Sequence, residues 1–227
     1  DALASRLVEV GSTIHFTGLG GDELFGYIPG LLRALAESAG RGDPAIKRFR
    51  QLHRWPRMAT ARALASARTP ADELTIALGR LRLPVGDGPE ESLSWYPRVT
   101  LPPWASQHGE SLVRSALEER ISAGIAPLDE DRGRHQMLES LHFQGLVLRQ
   151  INQAYQCSGV AWRAPFLAAR VVDAAMTLRV EQRFGASTAK PLLAAATAPF
   201  MPHEYFTRNG KGEYSYEIYS QFAGMRE

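Results

Sequence analysis

The 227-residue chain is 44% hydrophobic and 22% charged, an ordinary globular composition with apolar residues enough for one sizeable core or two small ones. Its 26 basic and 24 acidic residues leave a formal charge of +2, too balanced to argue for nucleic acid or a membrane surface as partner. A single cysteine, Cys157, excludes an intrachain disulfide and fits a reducing cytoplasm, and no apolar run approaches the roughly 18 residues of a membrane span.

The chain opens at Asp1 without an initiator Met or a signal-like segment, and is read as the cut edge of a larger protein. Ser12 to Thr17 (STIHFT) is short, β-branched and aromatic and runs into glycines, which predicts a buried strand ending in a loop. Asp22 to Ala39 carries Leu24, Phe25, Leu31, Leu32 and Leu35 at helical spacings, with Pro29 and Gly30 dividing it into two helices. Pro44 to Trp55 and Pro56 to Ala67 predict two more helices, each with a proline at its start. Thr69 to Leu81 begins with a capping-box pattern in which Asp72 stands for the usual Glu.

The stretch from Leu83 to Trp104 holds seven prolines and glycines around Trp95, Tyr96 and Trp104. It predicts an ordered loop, because aromatic rings need something to pack against, and the segment 83–106 is a candidate internal boundary. Gln107 to Ala123 predicts a helix. Asp131 to Gln156 predicts a longer one, with Leu138, Leu141, Gly145, Leu148, Ile151 and Tyr155 on one face and Gly159 as its stop. Val160 to Pro165 is extended, Leu167 to Thr177 and Ser187 to Ala198 are helical, and 208–227 forms a Gly-Lys-Gly loop followed by an amphipathic helix. The whole is mostly helical with about two strands.

The sharpest local signal is Thr17-Gly-Leu-Gly-Gly-Asp-Glu-Leu-Phe-Gly26. A strand feeds a glycine turn, and two acids stand where a helix begins. Bare N–H groups around Gly20 and Gly21 make an anion site such as one for pyrophosphate, and Asp22 beside it is placed to hold Mg²⁺. The same residues also make a plain glycine turn with Asp22 and Glu23 as acids favourable to a helix N-terminus.

This motif resembles the glycine-acid motif of the asparagine-synthetase family, and three further segments agree in order. Gly159-Val-Ala-Trp-Arg-Ala-Pro-Phe-Leu167 resembles the family's Arg-x-Pro-Phe-Leu stretch. Ala189-Lys-Pro-Leu-Leu193 resembles its Lys-x-x-Leu helix, and Pro202 through Arg208 to Lys211 its closing element. Within the family, Thr-Arg-x-x-Lys-Gly-Glu-Tyr-Ser (207–215) and Leu-Pro-Pro-Trp104 look most like lasso-peptide macrolactam cyclases.

The resemblance implies an α/β fold of the adenine-nucleotide alpha-hydrolase type, of which residues 1–227 would be the C-terminal portion. It also implies an AMP-forming amide ligase using ATP and Mg²⁺. The substrate would be a precursor peptide whose Asp or Glu side chain is adenylated and then attacked by the peptide's N-terminal amine, with a leader-binding protein and a leader peptidase as partners. By position, Asp22 would bind Mg²⁺, and Gly20, Gly21, Glu23 and Lys190 would contact the nucleotide. Lys211 would stabilise charge on the acyl oxygen and the leaving group, a role worth several kcal/mol for a donor beside an oxyanion. Arg163, Arg208 and Glu213 are candidate substrate contacts. An ordinary surface or loop lysine is the alternative for Lys190 and Lys211, and pairing with a core acid the alternative for Arg163.

Three departures from the family pattern matter. No Ser-Gly-Gly-x-Asp-Ser loop occurs, so the half that cradles ATP is expected on another segment, as is the family's glutaminase-like domain. Leu19 stands where asparagine and β-lactam synthetases carry a glutamate base. That argues against a small-substrate amide ligase of those types, the alternative reading, and is less harmful for an α-amine with a pKa near about 8. A non-catalytic peptide-binding fragment is the other alternative. Ala168 replaces the acid that usually follows Pro-Phe-Leu, a change expected to affect structure more than chemistry.

The six histidines (15, 53, 108, 135, 142 and 203) show no zinc-like pairing. His15 is expected in the core, His135 and His142 on one packed helix face, and Cys157 buried as a hydrophobe. Trp95, Tyr96 and Trp104 are expected to pack in the core or to wall a peptide site.

Overall fold

The computed structural model describes residues 2–26, 28–184, 190–202, 204–207 and 220. α1 spans Ala2–Glu9, which the sequence reading missed, and leads to β1, Ile14–Phe16. α2 (Gly21–Phe25) and α3 (Leu31–Ser38) lie on either side of the Pro29-Gly30 break. α4 (Pro44–Leu52), α5 (Arg57–Leu64) and α6 (Pro70–Leu78) follow, then a short α7 (Pro89–Ser92) inside the proline-rich segment. α8 is Gln107–Ser122 and α9 is Arg132–Ala154. After a 3-10 turn at Gln156–Ser158 come β2 (Ala161–Arg163), α10 (Ala169–Met176) and α11 (Val180–Arg183). α12 is Pro191–Thr197 and α13 is Glu204–Thr207. Two compact units divide the chain, Asp1–Leu192 and Leu193–Glu227.

Local chemistry explains the helix starts. Asp43 accepts from Ala45 N at 2.7 Å with Pro44 in the first turn. Asp72 does complete the capping box: Thr69 N donates to its carboxylate at 2.8 Å, and Asp72 N donates to Thr69 Oγ1 at 3.2 Å. Asp131 caps α9 by accepting from Arg134 N at 2.8 Å.

β1 and β2 pair in parallel, with Ile14, His15 and Phe16 opposite Ala161, Trp162 and Arg163. The expectation of a buried strand is corrected: Ile14 and Phe16 are 48% and 67% exposed. Period-two alternation puts these two on the same face of the strand, and only His15 turns inward, half-buried with its ring 4.3 Å from that of Trp162. Asn152 of α9 grips the backbone of β2, accepting from Trp162 N at 2.9 Å and donating to Trp162 O at 3.1 Å.

Three apolar clusters lie within the first unit. Leu32, Leu35, Ile46, Phe49, Trp55 and Leu64 join α3, α4 and α5. Leu24, Leu31, Met137, Leu141 and Ala175 join α2, α3, α9 and α10. Leu74, Trp95 and Tyr96 pack with Leu117 and Ile121 of α8. Gly133 makes the α3–α9 contact possible, since a Cβ there would lie 2.5 Å from Leu31 N.

Trp95 and Tyr96 are core residues, whereas Trp104 is 84% exposed. Cys157 is exposed, which corrects the expectation of burial: it lies in the surface 3-10 turn after α9. His142 is exposed too, which corrects the expectation of a packed face shared with His135. His135 is buried, accepts from Leu128 N at 3.1 Å through Nδ1, and stands edge-on to the rings of Trp95 and Tyr96. Burial pushes its pKa down, against the pull of Glu139 and Asp129 and with the push of Arg120.

A lowered pKa in the fold means that the unfolded chain binds the proton more readily, so the stability from neutral His135 is lost as pH falls below its unfolded value of about 6.5. Burial raises the carboxyls of Glu73 and Asp131, which respond with the opposite sign. Urea midpoints at pH 7.5 and pH 5.5 should therefore be compared between wild type and His135→Gln. The variant should lose less stability than wild type between those two pH values, measured by circular dichroism, and equal losses would remove His135 from the account.

Candidate active site

The glycine-acid motif is positioned by the strand pair behind it. Thr17 N donates to Arg163 O at 2.8 Å, extending the ladder one residue past β1, and Gly21 N closes a turn on Gly18 O at 3.1 Å. Gly20 has φ +89, the left-handed region that favours glycine. A Cβ there would lie 2.6 Å from Leu167 Cδ2, and one on Gly21 would lie 3.0 Å from the Phe166 ring. The missing Cβ positions thus face Pro-Phe-Leu, so two of the matching motifs are packing partners. Gly20→Ala combines backbone strain with this overlap and should destabilise the protein by about 1–3 kcal/mol, read as a lowered thermal midpoint.

α2 then carries the acids. Its Leu24 is anchored in the core, while Asp22 and Glu23 face outward. Lys190 Nζ donates to Asp22 Oδ1 in an ion pair that joins positions 168 apart in sequence. Glu23 Oε1 accepts from Gln144 Nε2 of α9 at 2.6 Å.

Asp22 and Glu23 also line a cleft of about 650 Å³. One of its walls is Gln136, Glu139, Ser140, Phe143 and Gln144, which recur along α9 at intervals of three and four and so share one helical face. Glu91, Ser92, Trp95 and Pro97 form another wall. Gln136 ties the two walls together, donating to Ser94 O at 2.5 Å and accepting from Gly30 N at 3.1 Å. The sequence reading missed this stripe because it followed only the apolar positions of the helix. The same count of three and four applied to polar residues finds it.

Asp22, Glu23 and Lys190 are therefore brought together, with Gly20 and Gly21 directly before them. Arg163 is elsewhere: it is exposed on β2 and is not among the residues that line the cleft. Lys211, Arg208 and Glu213, with His203, lie outside the described residues. Ala168 sits at the N-cap of α10, where no side chain caps the helix. That accounts for the acid usual at this place, since Asp is among the best N-cap residues.

The fit of Mg²⁺ and ATP to this site follows from the donor set. Mg²⁺ is ordinarily held by one or two carboxylates together with substrate phosphates. The Asp22 side chain, 64% exposed and next to a cation that can meet phosphate, suits that arrangement. Among the described residues no group of three or more His, Cys, Asp or Glu side chains could hold a metal by itself. No helix among them is long and apolar enough to cross a membrane.

A parallel strand pair within a mostly helical chain, with a glycine-acid turn packed on a Pro-Phe-Leu segment, defines the class to which a family comparison can be put. The family model for asparagine synthase matches residues 1–227, and the chain belongs to that family. Its members are ATP-dependent amide ligases, which in general use ATP with Mg²⁺. Comparison with curated proteins and with solved structures gave no match.

Proposed function

We propose that the chain is part of an ATP-dependent ligase that closes an amide within a ribosomally made precursor peptide, joining the N-terminal amine to an Asp or Glu side chain. The observation that carries this reading is the Asp22–Lys190 ion pair, which unites two separate family motifs at the mouth of an acidic cleft.

ATP, when bound, supplies the adenylyl group that activates the side-chain carboxyl, with pyrophosphate as leaving group. Its phosphates would be cradled by a Ser-Gly-Gly-x-Asp-Ser segment outside this chain, in a sheet of the adenine-nucleotide alpha-hydrolase type to which β1 and β2 would contribute. Asp22 would hold Mg²⁺ and Lys190 would face the phosphates. Lys211, in the next motif, would meet the charge that develops on the acyl oxygen.

The cleft suits the attacking partner. Four carboxylates line it; Asp22, Glu91 and Glu139 pair with Lys190, Arg98 and Arg120, which leaves Glu23 to meet an α-ammonium. Half-buried Leu19 cannot take the ammonium proton. Glu23 uses one oxygen toward Gln144 and keeps the other for this purpose. Phe143, 61% exposed, offers a flat apolar wall to a peptide chain.

Incubation of the enzyme with a precursor peptide, ATP and Mg²⁺ should release AMP and pyrophosphate and give a product lighter than the leaderless core by one water, read by mass spectrometry. Release of ADP would end the adenylation claim. Amidation of free aspartate would move the reading to a small-substrate ligase of the same family.

A further inference from the structure

A second cavity, of about 410 Å³, opens between α5, α6 and the proline-rich segment. That volume lies in the usual range for sites that take small molecules or peptide side chains. Its wall is apolar, including Leu74 and Ala77 from α6, Ile76, and Pro89, Pro97 and Val99 of the proline-rich segment. Leu74 and Ala77 are buried, so this wall is continuous with the third apolar cluster.

Three carboxylates and three guanidiniums line the cavity, and they are unevenly paired. Glu91 is taken by Arg98 at 2.5 Å, Glu73 by Arg132 at 3.4 Å, and Glu90 lies 4.0 Å from Arg62. Arg68 and Arg80 also line the cavity, both exposed, and among the described residues neither side chain makes a hydrogen bond or ion pair. Every lining carboxylate thus has a cation within 4.0 Å, while among the described residues Arg68 and Arg80 have no carboxylate that close, Arg68 acting on Glu73 and Asp72 from further off. Guanidinium is the side chain best matched to a carboxylate in geometry.

We propose that this cavity binds a peptide segment in which an apolar side chain stands next to a carboxylate, the apolar group against Leu74 and Ala77 and the acid between Arg68 and Arg80. The inference rests on the reading that the substrate is a peptide. Glu91 and Pro97 line both this cavity and the acidic cleft, so one short stretch of chain separates them. A peptide seated here has a distal part fixed while its reacting end occupies the cleft. That lowers the entropic cost of bringing amine and activated carboxyl together.

The test uses acetyl-Leu-Asp-Leu-amide and acetyl-Leu-Asn-Leu-amide as probes, titrated into the full chain by calorimetry, with hexanoate as a third ligand. The acidic peptide should bind about tenfold more tightly than its amide twin, and the Arg68→Gln/Arg80→Gln double variant should erase that preference, as expected for two charge contacts. Ala59→Phe, which fills the mouth of the cavity, should weaken both peptides; a thermal melt confirms that each variant is folded.

Equal binding of the two peptides, a preference that survives the double variant, or no binding into the millimolar range would overturn the proposal. Hexanoate binding as tightly as the peptide would overturn the peptide assignment. None of these readouts involves ATP, so the failure of this site is distinguishable from the failure of the ligase reading. Amide formation with no peptide preference here removes the cavity alone, and peptide preference without AMP release removes the activity alone.

Discussion

Asp22→Asn should lower the rate of AMP release by about 100-fold or more, the scale of losing one preorganised charged contact in a reaction that develops charge, and should leave thermal unfolding almost unmoved. The substitution keeps shape and polarity and removes only the negative charge. Stability should hold because the pair is half in solvent: 64% of the Asp22 side chain and 34% of that of Lys190 are exposed, and ion pairs of this kind contribute about 0–1 kcal/mol. Lys190→Met should show a comparable rate loss, because it removes the group that would meet phosphate.

The double variant distinguishes a working pair from two independent residues. If Asp22 and Lys190 serve one event, the combined loss should be close to that of either single change, as in catalytic groups that act as a unit. Independent roles would multiply the losses. A fall in rate that tracks a fall in melting temperature would make the pair structural and remove the central support for the ligase reading.

How much of this could be read beforehand depends on the range of the interactions. Caps and proline starts act over a few residues, which is why Pro44 and Thr69 with Asp72 marked their boundaries correctly, whereas Gly159, read as the stop of the long helix, caps the 3-10 turn that follows it. The strand at Ile14–Phe16 was legible as a strand, but its exposure was not: burial depends on which elements lie against each face, and composition is silent on that. The reach from Lys190 to Asp22 was legible only through motif order, since nothing local to Pro191 or Leu192 says what lies beside them. The glycines were legible for a partly different reason than the one found. Bare N–H groups suggested an anion, whereas the overlap with Leu167 and Phe166 shows that space is needed as well. Arg132 was not picked out at all, although a base in the first turn of a helix opposes the macrodipole and on that ground alone asks for an explanation.

The explanation is a buried clamp, and removing it should produce the largest stability loss in the protein. Arg132 is 4% exposed. Its guanidinium pairs with Glu73 at 3.4 Å and donates to Ser66 O at 3.0 Å, Arg68 O at 2.6 Å and Leu93 O at 3.3 Å, with its plane 5.0 Å from the Trp95 ring. It thus fastens the end of α5, the start of α6 and the Leu93–Trp95 wall of the cleft to α9. Arg132→Met fills much of the volume but takes the cation from the Glu73 carboxylate and the side-chain donor from Leu93 O, while Ser66 O keeps Arg33 and Arg68 O keeps Trp95 Nε1. Breaking a buried pair from one side costs about 3–5 kcal/mol. For a chain of this size that lowers the thermal midpoint by on the order of 10 °C. Arg132→Lys should recover only part, because a single ammonium cannot span three carbonyls and a carboxylate.

The pH dependence identifies the mechanism. Burial already raises the Glu73 carboxyl, and Arg132 is among the groups that hold it down. Without that cation the folded form should bind a proton at Glu73 more readily than the unfolded chain over a wider range, so the variant regains stability relative to wild type as pH falls. The deficit measured by urea unfolding should therefore be smaller at pH 5 than at pH 8, and Arg132→Met/Glu73→Gln should be more stable than Arg132→Met alone at pH 8. A deficit independent of pH and untouched by the second substitution would assign the loss to packing against Trp95 instead of to the stranded charge.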